Sequence, residues 1–373
     1  MKNKFEHLKL PNEKEIKKLW EDCLFVFDTN ILLNLYRYSD KTKNDFLNIL
    51  KSIQDRIWIP YQVGFEYHNN RIDLIEGQVA KYDNFLKNIK SALSKAKSEI
   101  TAKKSHPYID IKLIDKISKI IDKESVKILK EKIKVEKLIK NDLIELKLNS
   151  LFENNVGEQF SDKVLKEILI EGEYRYNNKI PPGYEDLKNK SSIRKYGDLI
   201  IWFEMIEKSK LIKKPILFVT DDLKEDWWKT SNKKKIPRSE LIQEFFQKSD
   251  QKYFMYHSDE FMTLSEKYLN QNINPKSIEE AKDIRYDLKK LNDNINATKE
   301  FMYHEIYNQI RYLIEHNPLK LKQTISNLNT ILPDSDREML LSFLEKNYKN
   351  DLTDDNFEKD DYDEDDSKVT SIE

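Results

Sequence analysis

The spacing of apolar positions predicts an α/β part of the chain and two parts that are helical. Four short apolar runs are bounded by polar or turn residues, as the buried strands of a parallel sheet are. These runs are 24–27, 57–59, 216–219 and 253–255. Helical periodicity lies between them, at 13–20, about 196–208 and about 240–247. Strands separated by helices predict a parallel sheet that is covered by helices on both faces.

The remaining stretches show mostly helical spacing. From residue 62 to about 151, apolar side chains recur every three or four residues and only Pro107 interrupts them, which predicts an antiparallel helical hairpin or coiled coil. Residues 152–190 look less regular and contain the turn Pro181-Pro182-Gly183, and 259–350 look wholly helical. We therefore expect the chain to divide into a discontinuous α/β domain (1–66 and 181–262), a helical insertion (67–180), a helical C-terminal region (263–350) and an acidic tail (351–373).

Charge is distributed unevenly along the chain. Residues 351–373 contain eleven acidic residues and two lysines, a net charge of −9, so a total of −1 leaves +8 on residues 1–350. A basic body attracts polyanions, which favours nucleic acid as a partner. The tail has almost nothing apolar to bury, so we expect it to be disordered and solubilising. A sharper hypothesis is that it covers the basic surface until nucleic acid displaces it.

Composition excludes several classes of protein. Only 6 of 373 residues are glycine, and no glycine-rich phosphate-binding loop is present. The single cysteine, Cys23, excludes an intramolecular disulfide framework, a cysteine-based zinc site and an iron–sulfur cluster. No apolar run is long enough to span a bilayer, and the first twenty residues lack the apolar core of a signal peptide. The chain is therefore expected to be cytoplasmic, with no membrane partner.

Carboxylates follow two predicted strands and open two predicted helices. In chain order the groups are Asp28-Thr29-Asn30, Glu66, Asp198 and Thr220-Asp221-Asp222. Because ligand sites lie beyond the carboxyl ends of parallel strands, we expect these groups to meet at one edge of the sheet. Packed carboxylates repel one another unless cations neutralise them, and Mg²⁺ or Mn²⁺ with oxygen ligands can do so. A metal-activated water held there would hydrolyse phosphodiester bonds without a nucleophilic Ser, Cys or His.

Four segments resemble, in order, the acidic motifs of the PIN-domain nucleases. They are FVFDTNILLNLYRYS, PYQVGFEYHNN, YGDLIIWFEMIEKSK and PILFVTDDLKEDWW. The resemblance is greatest to the large bacterial PIN-like branch with a helical insertion between the second and third motifs. It covers roughly residues 22–262, with 67–180 as the insertion. Each motif alone is weak, but four in order, each at its expected strand or helix, are specific together.

The resemblance implies a PIN-like sheet and a metal-dependent endoribonuclease that leaves a 3′-hydroxyl and a 5′-phosphate. It carries Asp28, Glu66, Asp198 and Asp222 over as ligands of Mg²⁺ or Mn²⁺, with Asp221 in reserve for the fourth position. Asn30 would orient the site, and the Thr220 hydroxyl would hold a phosphate or water. Relatives of this branch look like bacterial stress or defence nucleases, so an antiviral or stress role is the matching expectation. RNA is the preferred substrate, with a flap-type DNA nuclease as the alternative.

Other residues near the motifs carry weaker expectations. Glu185, Asp186 and Asp226 read as surface acids rather than ligands, and one of Trp227 and Trp228 could stack on a base while at least one belongs to the core. Basic residues flank the third and fourth motifs and predict a track for the phosphate backbone. The residues of this track are Arg194, Lys195, Lys224, Lys233, Lys234, Lys235 and Arg238.

Three alternatives stand beside the nuclease reading. The string Arg311-Tyr312-Leu313-Ile314-Glu315-His316 resembles the motif of metal-free HEPN ribonucleases, although chance and surface spacing explain it as well. A haloacid-dehalogenase-like phosphatase would need a second Asp where Asn30 stands. A catalytically inactive PIN fold would act as a scaffold. The helical insertion and C-terminal helices favour self-association or a protein partner in either case.

Overall fold

The computed structural model describes most of the chain as two compact units. The described residues are 8–9, 11–102, 111–188, 192–231, 234–316, 337 and 340. The first unit holds those up to 187 and from 193 to 291, and the second holds those of 188–192 and from 292 onward. The division into domains predicted above stays a prediction.

Among the described residues of the first unit, six strands form two sheets. They are β1 (Leu24–Phe27), β2 (Ile57–Trp58), β3 (Ile216–Val219), β4 (Trp228–Ser231), β5 (Lys234–Pro237) and β6 (Tyr253–Tyr256). The central sheet is parallel and has the order β2-β1-β3-β6, while β4 and β5 form a separate antiparallel pair. Every residue of β1 and β3 is buried, which confirms the predicted central parallel sheet.

Eleven helices lie within the residues that the structure describes. They are α1 (Glu13–Asp22), α2 (Thr29–Asn34), α3 (Asp40–Ser52), α4 (Tyr61–Ala102), α5 (Ile111–Lys137), α6 (Leu143–Phe152), α7 (Asp162–Asn177), α8 (Gly197–Ile212), α9 (Ser239–Ser249), α10 (Ser258–Tyr268) and α11 (Pro275–His316). Short 3₁₀ turns at Gln54–Arg56, Tyr184–Lys188 and Ser192–Tyr196 connect some of them.

Aromatic side chains cover both faces of the central sheet. Phe25 and Phe27 point to one face, where their rings lie 5.9 and 5.5 Å from Phe261 of α10. Phe218 pairs in register with Val26 and therefore points to the opposite face. There its ring lies 5.5 Å from that of Trp227. Aromatic side chains thus bury the sheet on both sides, as its nearly all-apolar strands require.

The predicted helical insertion is built around the pair α4 and α5. The two helices run antiparallel, because Lys97 pairs with Asp115 near their connection and Lys132 pairs with Asp83 farther from it, each at 2.8 Å. The helical run is not continuous to residue 151, because α5 ends at Lys137 and Asp142 caps a new helix, α6. Large apolar side chains on the pair remain exposed, and self-association through them stays a prediction. These side chains are Phe85, Ile117, Ile120, Val126, Leu129 and Ile133.

Two elements differ from the sequence-based expectation. Residues 152–190 contain the sixteen-residue helix α7, which Ser161 caps by accepting a bond from the backbone N–H of Val164. The apolar pattern predicts no strand directly after the fourth motif, but the structure has the β4–β5 pair there. Both strands of that pair are short and carry several polar residues, so they lack the apolar run that marks a buried strand.

The second unit is helical where it is described. Tyr303, Tyr307 and Ile310 are buried along α11 at the three- and four-residue spacing of one helix face. The HEPN-like string lies at the end of α11, and the side chain of His316 lies outside the described residues, as does the acidic tail. Among the described helices, none is apolar over enough length to cross a bilayer.

Candidate active site

The carboxyl ends of β1 and β3 lie side by side and bring the first and fourth motifs together. The backbone N–H of Asp28 donates to the carbonyl of Val219 at 3.0 Å. β1 has β2 on one side and β3 on the other, so the order in which strands are added to the sheet reverses here, and parallel sheets bind their ligands at such a point. One carboxylate oxygen of Asp28 caps α2 by accepting a bond from the N–H of Thr29 at 2.7 Å.

The second oxygen of Asp28 lies inside a network of side chains. It accepts bonds from the Asn30 amide at 2.5 Å and from the Thr220 hydroxyl at 2.6 Å. The same hydroxyl accepts bonds from the Asn30 amide and from the backbone N–H of Asp222, each at 3.1 Å. Asn30 also accepts a bond from the backbone N–H of Asp221 at 2.9 Å. Asn30 and Thr220 therefore fix the Asp28 carboxylate between the two strand ends.

Glu66 reaches the same site from the second turn of α4. Its carboxylate accepts a bond from the Thr29 hydroxyl at 2.9 Å and one from the Gln62 amide at 2.8 Å. Gly197, the first residue of α8, permits this position. A Cβ atom at Gly197 would lie 2.5 Å from Oε1 of Glu66, which is far too close for contact. The glycine is thus needed for the approach of the carboxylate to α8.

Asp198 and Asp222 share a lysine at the centre of the site. The Lys224 ammonium lies 3.3 Å from Oδ2 of Asp198, 3.0 Å from Oδ2 of Asp222 and 2.6 Å from Oδ1 of Asp186. The indole N–H of Trp227 donates to the same Asp198 oxygen at 3.3 Å. Burial disfavours the charge of Lys224, but the three carboxylates outweigh it and raise its pKa well above the usual range. We call the group of Asp28, Glu66, Asp186, Asp198, Asp222 and Lys224 the acid site.

Asp186 and Asp226 are not surface acids, as the sequence had suggested, because both side chains are buried. Asp226 accepts bonds from the backbone N–H groups of Gly183 and Glu185, each at 3.0 Å. It thereby fixes the loop that carries Asp186 to Lys224. Burial, and next the charge of Asp198, raise the pKa of Asp226 to about 7. The sequence offered little sign of this arrangement, because it depends on a contact between residues 183–186 and 224–226.

Asp221 lies outside the acid site although it adjoins Asp222. Its carboxylate accepts bonds from the backbone N–H and the hydroxyl of Ser258, both at 2.9 Å, and from the Asn34 amide at 2.8 Å. Burial raises the pKa of Asp221 to about 6, against the Ser258 bonds and the charge of Arg285. We call Asp221, Ser258 and Asn34 the Asp221 network.

The electrostatics of the acid site fit a hard cation. Burial, and after it the charges of Asp198, Glu66 and Asp222, raise the pKa of Asp28 to about 8, although the Thr220 bond opposes the shift. A nearby positive charge would stabilise the ionised form of Asp28. The carboxylate oxygens around it are the ligands that Mg²⁺ and Mn²⁺ prefer. Nevertheless, within the described part of the chain, no group of three or more His, Cys, Asp or Glu side chains is arranged to hold a metal ion as it stands.

Most residues of the predicted basic track have partners within the protein. Lys195 pairs with Glu173 at 3.5 Å, and Lys235 donates to the carbonyl of Leu223 at 2.7 Å. Arg238 pairs with Glu240 at 2.7 Å. Arg194 is exposed, Lys224 belongs to the acid site, and Lys233 and the side chain of Lys234 lie outside the described residues. The track stays a prediction.

The two tryptophans after the fourth motif both belong to the core. Their side chains are 2% and 4% exposed, so the expectation that Trp227 or Trp228 stacks on a base is wrong. The indole of Trp228 donates to the carbonyl of Asp222 at 2.6 Å and packs 4.1 Å from the ring of His257. These residues hold the turn after β3 in place.

The sheet order and the acids at its carboxyl edge define a nuclease-type α/β fold of the PIN class. A family model described as "PIN like domain" matches residues 24–241, and the chain belongs to that family. This confirms the predicted family and fold class. PIN domains are generally nucleases, so nucleic acid is the expected class of partner. Comparison with curated proteins and with solved structures gives no match.

Proposed function

We propose that the chain is a divalent-cation-dependent endonuclease that hydrolyses phosphodiester bonds, with RNA as its preferred substrate. Asp28, Glu66, Asp198 and Asp222 would hold Mg²⁺ or Mn²⁺. Asp222 is preferred to Asp221 as the fourth ligand, because the oxygens of Asp221 are engaged by Ser258 and Asn34.

One observation carries the proposal. Asp28 lies in the field of three other carboxylates, and burial together with that field raises its pKa to about 8. Carboxylates packed in this way destabilise the folded protein unless positive charge neutralises them. The Lys224 ammonium supplies one positive charge to Asp186, Asp198 and Asp222, and no salt bridge of the described residues joins a cation to Asp28. A divalent cation supplies the charge that is missing there.

The side chains around the acids support this role by fixing where the carboxylates point. Asn30 and Thr220 hold Asp28, and Thr29 and Gln62 hold Glu66. A bound divalent cation activates a water molecule and stabilises the charge that develops on the phosphate and on the leaving oxygen. The chain's own contribution is to place the ligands before substrate arrives, which lowers the cost of reorganisation in the reaction.

The proposed preference for RNA is supported by the net charge of the chain and by the resemblance to PIN ribonucleases. The net charge of +8 on residues 1–350 favours a polyanionic substrate of either kind. RNA follows from the resemblance to the PIN ribonucleases, as does the proposed role in stress or antiviral defence. A DNA nuclease is the remaining alternative, and the assay below separates the two.

The test is cleavage by the purified full-length chain in Mn²⁺ or Mg²⁺. Matched 5′-labelled substrates of one sequence are used: single-stranded RNA, single-stranded DNA, the two duplexes and a DNA flap. We expect internal cleavage of RNA that needs the cation, leaves a 5′-phosphate and stops on chelation. Asp28→Asn should lower the rate about 10²–10³-fold, the loss typical of a group that stabilises transition-state charge.

Asp55→Asn is the matched control, because Asp55 is exposed in the turn before β2 and lies outside the acid site. It should cleave like the wild type. Undiminished cleavage by Asp28→Asn would reject the proposal, and absence of cleavage on every substrate together with absence of divalent-ion binding would favour the scaffold instead. Cleavage confined to DNA would keep the chemistry and overturn the preference for RNA.

A further inference from the structure

Lys224 lies among three carboxylates of the acid site. Its ammonium contacts three carboxylates within 3.3 Å, and only 29% of its side chain is exposed. Two of those carboxylates, Asp198 and Asp222, are proposed cation ligands. The third, Asp186, gives the shortest contact and is itself 2% exposed. The lysine thus uses the oxygens that a divalent cation would need.

The position of Lys224 is built by the turn that follows β3. Oδ1 of Asp222 accepts a bond from the backbone N–H of Lys224 at 2.8 Å, so the turn folds back on the acid that begins it. The carbonyl of Lys224 in turn accepts bonds from the N–H groups of Trp227 and Trp228, each at 3.3 Å. Both indoles are buried. The backbone of Lys224 is therefore fixed, while its four-carbon side chain keeps several rotatable bonds.

Asp186 is held in place independently of Lys224. The backbone N–H of Asp186 donates to the carbonyl of Gly183 at 3.0 Å, and buried Asp226 fixes the same loop by accepting bonds from the N–H groups of Gly183 and Glu185, which precede Asp186. Asp186 can therefore keep its place when the carboxylates of Asp198 and Asp222 take another partner.

An ammonium group and a divalent cation cannot share the same carboxylate oxygens at close range. Positive charges a few ångströms apart repel strongly in a partly buried site, where the effective dielectric constant is about 20. We infer that Lys224 and a divalent cation compete for Asp198 and Asp222, and that the cation displaces the ammonium while Asp186 retains it at the site. This inference rests on the proposed function, and it adds that a side chain of the site itself competes with the cation.

Two consequences follow from the competition. Without the cation, the Lys224 ammonium joins the carboxylates of Asp186, Asp198 and Asp222. With the cation, the displaced ammonium stays beside the ligands, where it can meet the negatively charged scissile phosphate. Lys224 accordingly lowers the affinity for the cation and, once displaced, supports the reaction by its charge beside the phosphate.

The experiment is a calorimetric titration of the full-length chain with Mn²⁺ alone, without substrate. Wild type, Lys224→Met and Lys229→Met are compared. Methionine keeps much of the apolar stem and removes the charge, and exposed Lys229 on β4 is the matched control for the same substitution. We expect Lys224→Met to bind Mn²⁺ at least about tenfold more tightly than the wild type, because a repelling charge is gone. Lys229→Met should bind as the wild type does.

A second measurement uses the unaltered protein, so it does not depend on the folding of a variant. Lysine acetylation is followed by mass spectrometry with and without Mn²⁺. Displacement of the ammonium from two of its three carboxylates should make Lys224 more reactive when Mn²⁺ is added, while Lys229 should not change.

The outcomes separate the two proposals. If the wild type binds Mn²⁺, but a folded Lys224→Met binds no more tightly and Lys224 is no more reactive with Mn²⁺, the competition is wrong and the nuclease proposal stands. If neither the wild type nor Lys224→Met binds Mn²⁺, the cation site itself is wrong and the competition fails with it. Tighter binding by Lys224→Met accompanied by slower cleavage supports both.

Discussion

Asp221 and Asp222 are neighbours in the chain, yet they belong to regions with opposite properties. In the Asp221 network the carboxylate accepts three hydrogen bonds, two from Ser258 and one from Asn34. In the acid site, Asp222 contacts the Lys224 ammonium and lies among other carboxylates. The first region satisfies a buried charge with donors, which stabilises the fold.

The acid site brings five carboxylates together, and the single Lys224 ammonium contacts only three of them. Like charges held close together cost folding free energy, and natural proteins keep such arrangements mainly at functional sites. The comparison therefore teaches that burial and acidity do not identify a ligand. The neighbouring charges do: Asp28 and Asp221 both accept bonds from N–H and O–H donors, but three other carboxylates act on Asp28, whereas the charge of Arg285 favours the ionised form of Asp221.

The largest effect is expected from replacing Asp222, the acid that belongs to the acid site. Asp222→Asn should lower cleavage at least about 10²-fold while the melting temperature stays within a few degrees of the wild type, because it removes a ligand and relieves repulsion. Cleavage by the purified variant on the preferred substrate, with melting followed by circular dichroism, checks this. A variant that cleaves normally would remove Asp222 from the acid site's function.

Asp221→Ala should show the reverse pattern. Removing the carboxylate leaves the Ser258 and Asn34 donors buried without their acceptor, which should cost about 3 kcal/mol of unfolding free energy. Urea denaturation of wild type, Asp221→Ala and Asp222→Asn measures the difference. Should Asp221→Ala be as stable as the wild type and inactive instead, the assignment of the fourth ligand would have to be reversed.

The stability of the folded protein should fall as the pH rises, because of Asp28 in the acid site. The folded pKa of Asp28 is about 8, above the ordinary value near 4 that it has when unfolded, so folding takes up a proton between these values. The corresponding stability is fully present below pH ~4 and is lost as the pH rises through about 8, at up to about 1.4 kcal/mol per pH unit.

Thermal melts of the chelated protein from pH 5 to 9 measure this loss. Glu204 and Asp226, whose pKa values burial raises to about 8 and about 7, contribute in the same direction. Asp28→Asn should therefore make the curve shallower without making it flat, and Mn²⁺ should stabilise the wild type more at pH 8 than at pH 6. An identical slope for wild type and Asp28→Asn would show that Asp28 is ionised at neutral pH.

The smallest effect is expected from Ser258→Ala. This variant removes one hydroxyl donor of the Asp221 network and leaves the backbone N–H of residue 258 in place, so about 1–1.5 kcal/mol of stability should be lost. The cleavage rate of the folded protein should not change, because no atom of the acid site is touched. A tenfold loss of activity without a loss of stability would mean that the two regions are coupled.

Much of this architecture follows from local patterns in the sequence. The runs Leu24–Phe27 and Ile216–Val219 predict buried parallel strands, and the positions of Asp28, Glu66 and Asp198 relative to predicted elements place their carboxylates at one sheet edge. The break before α6 had a local signal too, because Asp142 is a good helix N-cap. Ser161 gives a similar signal for α7.

The residues that could not be predicted depend on contacts between distant segments. Lys224 reads as one lysine among many, and its role is visible only when Asp186 and Asp198 are brought to it. Asp186 reads as a loop acid because its burial depends on Asp226, some forty residues away. Single-sequence patterns carry the period of a helix or strand, but they do not say which loops meet.

The helix that carries Glu66 is continuous from Tyr61 to Ala102. At 1.5 Å per residue it is about 60 Å long, with Glu66 near one end and the connection to α5 at the other. A continuous helix of this length joins the carboxylate bound by Thr29 and Gln62 to exposed apolar side chains farther along the hairpin, such as Phe85.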